Sequence, residues 1–324
     1  MSGQNQADHL VTVFGGSGFV GRYIVRGLAQ RGYRIRVAVR RPADAYFLQP
    51  FGDVGQIQVV QANLRDAESV AEALKGSYAA VNAVGILYET RKQTFDSIHG
   101  RGAAIVAEQA AKAGVKRLVH ISALGADSMS PSDYAESKAA GERGVRLEFP
   151  GAAILQPSVI FGPEDDFFNM FAAMARISPV LPLIGGGDTK FQPVFVGDVA
   201  EAALAVIDGD AAGGQIYELG GPEQLSFREI LEFILKTTGR KRLLVPVPFF
   251  IAKIQAWFLQ MWPWPLLTVD QVLLLQRDNV VGEAASREGR DFSAFGITPR
   301  SIEVIVPSYL SRFRAAGQFD QVSA

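Results

Sequence analysis

Short apolar runs alternate with amphipathic stretches through the first half of the chain. Residues 10–14, 35–39, 57–61, 79–83, 117–121 and 152–156 are rich in Val, Ile, Leu and Ala and bounded by polar or glycine-containing turns, which predicts strands. Between them, residues 19–31, 67–75, 95–113 and 132–148 carry apolar side chains at helical spacing. Strands that alternate with helices over short connections call for a parallel sheet covered on both faces. The expected fold class is therefore α/β, a doubly wound parallel-sheet Rossmann fold.

Beyond Pro157 the pattern loosens. Residues 161–187 are rich in Phe, Met, Pro and Gly and read as a lobe over the sheet. Residues 193–196 and 198–208 form one further strand-and-helix unit, with Asp198 as the expected N-cap. Residues 216–219 read as another strand. From Ser226 the chain is mostly helical, and Ser226 with Glu229 has the spacing of a capping box. The expected division is a nucleotide-binding domain of residues 8–160 plus 190–220. A smaller, mainly helical C-terminal lobe of 161–189 plus 221–315 accompanies it, then a polar tail of 316–324.

Composition narrows the function more by exclusion than by indication. The 324 residues are 48% hydrophobic and 20% charged, with a net charge of −1 and no dense Lys/Arg run, so nucleic-acid binding is not expected. There is no Cys and there are only three His, at 9, 99 and 120, which excludes thiolate sites and predicts no metal centre. Residues 1–9 have neither an apolar core nor an Arg, so they do not read as a secretory or organellar presequence. A cytoplasmic bacterial protein, or a mature chain, is the expectation. The longest uncharged apolar stretch, 254–269, contains Pro263 and Pro265 and is shorter than the roughly 20 residues of a spanning helix. No transmembrane span is expected, although contact with a membrane surface stays open.

The first strand runs directly into Gly15-Gly-Ser-Gly-Phe-Val-Gly21 and a helix. Backbone N–H groups at a helix N-terminus bind phosphate, provided that side chains do not block the approach. Gly15 permits the turn, Gly18 admits the pyrophosphate and Gly21 lets helix pack on strand. Ser17, Phe19 and Val20 complete the loop. At the end of the second strand an acid would receive ribose hydroxyls, whereas Arg accommodates a 2′-phosphate. This chain has Val39-Arg40-Arg41, which favours NADP(H) over NAD(H), with Arg40 the contact. Asn63-Leu64 is placed to meet the adenine, and Ala83, Val84 and Gly85 to lie against the cofactor.

Tyr134 and Lys138 are four apart in a helical segment and so share a face. A nearby cation favours the tyrosinate, which suits Tyr134 to proton transfer. Ser122, ending the fifth strand, could hold a substrate oxygen. Two readings stay open: an acid/base centre, or a pair that only hydrogen-bonds a permanently bound cofactor.

These residues, in this order, resemble the extended and atypical short-chain dehydrogenases: the glycine turn, Asn63-Leu64, Ser122, Tyr134-Ala-Glu-Ser-Lys138 and Gln156-Pro-Ser-Val-Ile-Phe-Gly-Pro163. The resemblance implies that Pro157 and its neighbours touch the nicotinamide end. Residues 157–174, Gln192-Pro-Val-Phe-Val-Gly-Asp-Val199, 51–56 and the aromatic stretch 249–264 are similar, more specifically, to the NADPH-binding accessory subunits of respiratory complex I (alpha-subcomplex subunit nine). That likeness implies a structural NADPH that is not turned over. It also implies a C-terminal lobe facing peripheral-arm subunits and the membrane surface, on the cytoplasmic face of a bacterial inner membrane or the matrix side in a mitochondrion. The alternative is a soluble NAD(P)-dependent oxidoreductase, epimerase or dehydratase that uses Tyr134, Lys138 and Ser122. The run Pro246, Phe249, Phe250, Ile254, Trp257, Phe258, Met261, Trp262 and Trp264 is either buried in the small lobe or an exposed docking surface.

Overall fold

The computed structural model describes residues 6–90, 92–262 and 265–314, so Trp264 and the 316–324 tail lie outside the described residues. The chain divides into two compact units. The first comprises Met1–Pro157, Gly197–Leu219 and Glu283–Ile297; the second comprises Ser158–Val196, Gly220–Gly282 and Thr298–Ala324. Compared with the expected division, residues 158–160, 190–196 and Gly220 cluster with the second unit and Glu283–Ile297 with the first.

The first unit is built on a seven-stranded parallel sheet. Its strands are β1 (Leu10–Phe14), β2 (Arg34–Val39), β3 (Ile57–Gln61), β4 (Ala79–Asn82), β5 (Arg117–Ile121), β6 (Ala153–Pro157) and β7 (Ile216–Leu219). They lie in the order β7-β6-β5-β4-β1-β2-β3, and every pairing is parallel. The order reverses beside β1, where an open α/β sheet binds its ligand outside the carboxyl ends of the strands. Val11, Val13, Phe14, Val37, Val81, Val119 and Ile154 are fully or almost fully buried, as a sheet covered on both faces requires. Along the outer edge of β7, Glu218 N donates to Arg290 O at 2.9 Å and Arg290 Nη1 to Ile216 O at 3.0 Å. These bonds satisfy edge groups of the sheet, which explains why Glu283–Ile297 belongs here.

The helices are α1 (Phe19–Gln30), α2 (Ala67–Leu74), α3 (Arg101–Lys112), α4 (Asp133–Glu148) and α6 (Val196–Asp208), with α5 (Phe167–Ile177) in the second unit. The expected helix 95–113 begins instead with a π-helical turn, Asp96–Gly100, before α3 proper. Gly141 of α4 crosses this turn so closely that a Cβ there would stand 2.1 Å from His99 O. Gly141 thus lets α4 meet the wider turn backbone to backbone, and Gly144 lets it pass Ala104 of α3, whose Cβ would stand 2.8 Å from a Cβ there. Ser132 caps α4, its hydroxyl accepting from Ala135 N at 3.2 Å. Asp198 is not the N-cap expected: α6 starts two residues earlier, so Asp198 lies buried in the first turn.

The second unit carries short paired strands, Val180–Ile184 with Leu243–Val247 the longest, and helices including α5 (Phe167–Ile177), α7 (Phe227–Thr238) and α8 (Phe249–Leu259). Its core includes an aromatic cluster in which Phe167 and Phe227 touch each other and each also touches Phe171 and Phe191. The Ser226–Glu229 capping box forms as expected. α8 does not bury its aromatic residues. Phe250, Ile254, Trp257, Phe258, Met261 and Trp262 are all exposed, and only Ala252 and Ala256 of α8 are buried.

Candidate functional site

The glycine turn closes as its spacing requires. Gly15 sits at φ +75°, where L side chains are strained, and its N–H donates to Ala38 O of β2 at 3.1 Å. Gly18 N donates back to Gly15 O at 2.9 Å. Gly18 is also the N-cap of α1 and supplies no side-chain cap, which leaves the N-terminal N–H groups around Phe19 and Val20 unclaimed by a capping side chain. A Cβ on Gly18 would meet Gly15 O at 3.2 Å, and one on Gly21 would meet the same oxygen at 2.2 Å. The turn is a cradle of bare backbone at a helix N-terminus, which fits a pyrophosphate.

Other expected contacts vary in what they offer. Arg40 follows β2 and its side chain is exposed, while Arg41 pairs with Asp44 at 2.9 Å. Asn63 Oδ1 accepts from Arg65 N and Nε, so its amide NH₂ is the part that could meet a base. Leu64 lies in the hydrophobic core among Ala103 and Val106, leaving only its backbone for a cofactor. Ala83 and Val84 form the wall against Gly15, since a Cβ on Gly15 would touch Val84 Cγ2 at 2.9 Å. Gly85 is exposed, with the site of its missing Cβ 3.7 Å from Lys138 Nζ and 3.8 Å from His99 Nε2. Pro157 is buried at the end of β6, its carbonyl accepting from Leu124 N at 2.9 Å.

The carboxyl ends of β4, β5 and β6 carry a buried polar row beneath α4. Lys138 Nζ donates to Ile121 O at 3.3 Å and lies 5.8 Å from the Tyr134 ring centroid. Burial lowers the Lys138 ammonium to about 8, against the opposing pull of Glu142. Ser122 donates its hydroxyl to Glu142 Oε1 at 2.5 Å, and Gln156 Nε2 donates to the same oxygen at 2.7 Å. Burial pushes the Glu142 carboxyl up, although both hydrogen bonds favour its ionised form. The Ser122 hydroxyl is thus engaged by the Glu142 carboxyl.

Two histidines that the sequence left scattered meet in this row. His99 Nε2 accepts from Ile86 N at 3.0 Å, which makes its Nδ1 the donor to Ser137 Oγ at 3.0 Å. Its ring stacks on Phe95 and meets Tyr134 edge-on at 5.3 Å between centroids. Asn82 Nδ2 donates to His120 Nδ1 at 3.2 Å, so the proton of neutral His120 sits on Nε2, a buried atom with no partner among the described residues. Glu142, His99 and His120 carried no sequence motif of their own. The one available signal was the four-residue step from Lys138 to Glu142, which puts both on one helix face. No group of His, Asp or Glu among the described residues could hold a metal ion.

Known proteins agree with this architecture. Residues 11–220 match the NAD dependent epimerase/dehydratase family. The chain is 33% identical to the NADH dehydrogenase [ubiquinone] 1 alpha subcomplex subunit 9 of Arabidopsis thaliana, over 95% of this chain and 79% of that one. It is 32% identical to a ceramide reductase of Caulobacter vibrioides, over 74% of each chain. A solved dTDP-glucose 4,6-dehydratase of Streptomyces venezuelae, with NAD bound, shares the fold at a TM-score of 0.70 and 22% identity, covering 94% of this chain and 96% of that one. The chain belongs to the NAD dependent epimerase/dehydratase family and has its NAD(P)-binding fold.

Proposed function

We propose that this member of the epimerase/dehydratase family is an accessory or assembly subunit of an NADH:ubiquinone oxidoreductase, holding NADP(H) as a structural group. The observation that carries the reading is the Ser122–Glu142 hydrogen bond. A hydroxyl that orients a substrate carbonyl must donate to it, and this one donates to a buried carboxylate. The likeness to the plant complex I subunit over nearly the whole chain supports the same reading. The bound nucleotide would supply its phosphates to the α1 turn and its nicotinamide ribose to Tyr134 and Lys138. The arginines after β2, with no acid among them, support a 2′-phosphate.

The second unit would dock the protein. Phe250 is 65% exposed, Trp257 54%, Phe258 63% and Trp262 72%, an apolar face larger than isolated surface residues explain. Trp beside aliphatic side chains suits a membrane–water interface, and no helix among the described residues is long and apolar enough to cross one. On this reading the lobe meets peripheral-arm subunits at the membrane surface.

The test is the nucleotide released from purified protein before and after extensive dialysis. Stoichiometric NADPH that resists dialysis, also in Tyr134→Phe, is the expected result. Freely exchanging nucleotide would overturn it. It would favour the soluble oxidoreductase suggested by the Tyr134–Lys138 pair and the ceramide reductase likeness, in which Tyr134→Phe abolishes turnover.

A further inference from the structure

Where the main chain leaves β4, side chains take over its hydrogen bonds. Ala83 N still pairs with β1, donating to Phe14 O at 3.0 Å. On either side of Gly85 the donors turn elsewhere: Val84 N to Asn82 Oδ1 at 3.2 Å, and Ile86 N to His99 Nε2 at 3.0 Å. His99 belongs to the π-helical turn Asp96–Gly100, and Phe95, just before that turn, donates its N–H back to Glu89 Oε1 of the same loop at 2.6 Å. In the other direction His99 Nδ1 donates to Ser137 Oγ at 3.0 Å, and Ser137 Oγ donates to Tyr134 O at 2.8 Å. His99 is therefore a strut between the loop after β4 and the first turns of α4. Gly85 is exposed on that loop, and a Cβ there would stand 3.7 Å from Lys138 Nζ. The strut sets how closely the Gly85–Ile86 backbone approaches the Tyr134 and Lys138 side of α4.

Resting on the reading that a nucleotide puts its nicotinamide ribose at Tyr134 and Lys138, we infer that His99 is a positioning residue for the nicotinamide half. By accepting from Ile86 N it holds the loop after β4 beside Lys138, so the seat is formed before the nucleotide arrives. A seat ordered in advance spares the ligand the cost of ordering it. The role needs a neutral ring with its proton on Nδ1, because only then is Nε2 an acceptor. Burial, and after it the Lys138 charge, keep the ring in that form. A backbone N–H that loses such an acceptor away from water carries the full cost of its desolvation, so without His99 the loop moves to find another partner.

The experiment compares full-length wild type, His99→Gln and His99→Asn, each saturated with NADPH. Gln places an amide oxygen where Nε2 stands, whereas Asn keeps a donor where Nδ1 stands and removes the acceptor. Both lose the ring, so the difference between them reads which bond matters. The fluorescence lifetime of the bound dihydronicotinamide reports how firmly that half is held, and a chase with excess NADP⁺ gives the release rate. Thermal shifts with 5′-ADP report the adenosine half alone. Wild type should show a lifetime well above that of free NADPH. His99→Asn should release NADPH roughly tenfold faster, the factor expected for one buried N–H left without its acceptor. Its lifetime should fall toward the free value while its 5′-ADP shift stays as in wild type. His99→Gln should keep the wild-type lifetime and release. A His99→Asn protein with wild-type lifetime and release overturns the role of His99 and leaves the bound-nucleotide reading standing. Equal damage in both variants, loss of the 5′-ADP shift, or loss of the fold by circular dichroism makes His99 a general brace and also overturns it. A wild type whose bound NADPH shows the free lifetime overturns the placement of the nicotinamide half at Tyr134 and Lys138 and this inference together.

Discussion

Ser122 and Glu142 share a 2.5 Å hydrogen bond beneath α4, and Gln156 completes the shell of the same carboxylate oxygen. The bond joins the end of β5 to a helix residue one turn beyond Lys138. A Ser122 so engaged contributes packing and one hydrogen bond to a charged group, an interaction of about 1.5–3 kcal/mol. Ser122→Ala is therefore expected to lower unfolding free energy by about that amount in a urea titration. Nucleotide retention after dialysis should stay at the wild-type level. Loss of a measurable reductase turnover by orders of magnitude in Ser122→Ala would count for the enzymatic alternative.

The same buried row makes stability depend on acid. Burial, with the Lys138 charge behind it, holds His99 down to about 2 and His120 down to about 3. From their ordinary 6.5 downward the unfolded chain takes up two protons that the native state refuses. Their contribution is complete above pH 6.5 and falls on acidification by about 1.4 kcal/mol per pH unit for each His, until the native values are reached. Glu142 has the opposite sign. Its raised native value makes the native state bind the extra proton, so its contribution falls as pH rises from its ordinary 4.5. Unfolding free energies between pH 7 and 4 should thus decline toward acid, and decline more steeply in Glu142→Gln. A flat profile would mean that the histidines are solvated.

The aromatic face of α8 gives a surface prediction. Trp257→Ser with Phe258→Ser changes exposed side chains, so the melting temperature should move little, by an amount equivalent to about 0.5 kcal/mol per site. Co-sedimentation with inner-membrane vesicles containing the respiratory complex should fall severalfold. A sharp drop in melting temperature would instead identify these rings as part of a core.

What could be read from the residue pattern follows from where local rules decide. Strands β1 to β6 and the glycine turn were legible, because buried parallel strands are continuous apolar runs and the turn needs glycine at fixed offsets. The fate of α8 was not. An apolar run at helical spacing looks the same whether it is buried in a core or left exposed, and only the structure shows that Trp257 and Phe258 are exposed. Nor was the Glu142 shell legible, since Ser122, Gln156 and Glu142 lie far apart in sequence and meet only through the β5–β6 pairing and the placement of α4. The π-turn at His99 was hidden for a similar reason: it depends on how closely Gly141 approaches, a tertiary matter. Asp198 shows the limit of cap reading, because an acid in the first turn and an N-cap acid differ by two or three residues.

Gly15, Gly18 and Gly21 of the turn should behave differently when each is changed to Ala. At Gly21 the added Cβ would stand 2.2 Å from Gly15 O and 2.7 Å from Gly16 Cα. Both are backbone atoms within the turn, so relief requires α1 to move away from β1. Gly21→Ala is expected to destabilise the protein without nucleotide by roughly 3 kcal/mol or more, at the upper end of single-residue effects. At Gly18 the Cβ meets only Gly15 O, at 3.2 Å, a gap that a shift of a few tenths of an ångström relieves. Gly18→Ala should therefore keep most of its apo stability, within about 1 kcal/mol, yet lose most of its nucleotide because the methyl stands where the pyrophosphate must approach. Gly15 is mixed, since φ +75° strains any side chain and Val84 lies 2.9 Å away. Melting curves with and without added NADP⁺ measure the two effects separately. If Gly18→Ala retains nucleotide as wild type does, the phosphates do not lie against this turn, and the cradle assigned to the N-terminus of α1 is wrong.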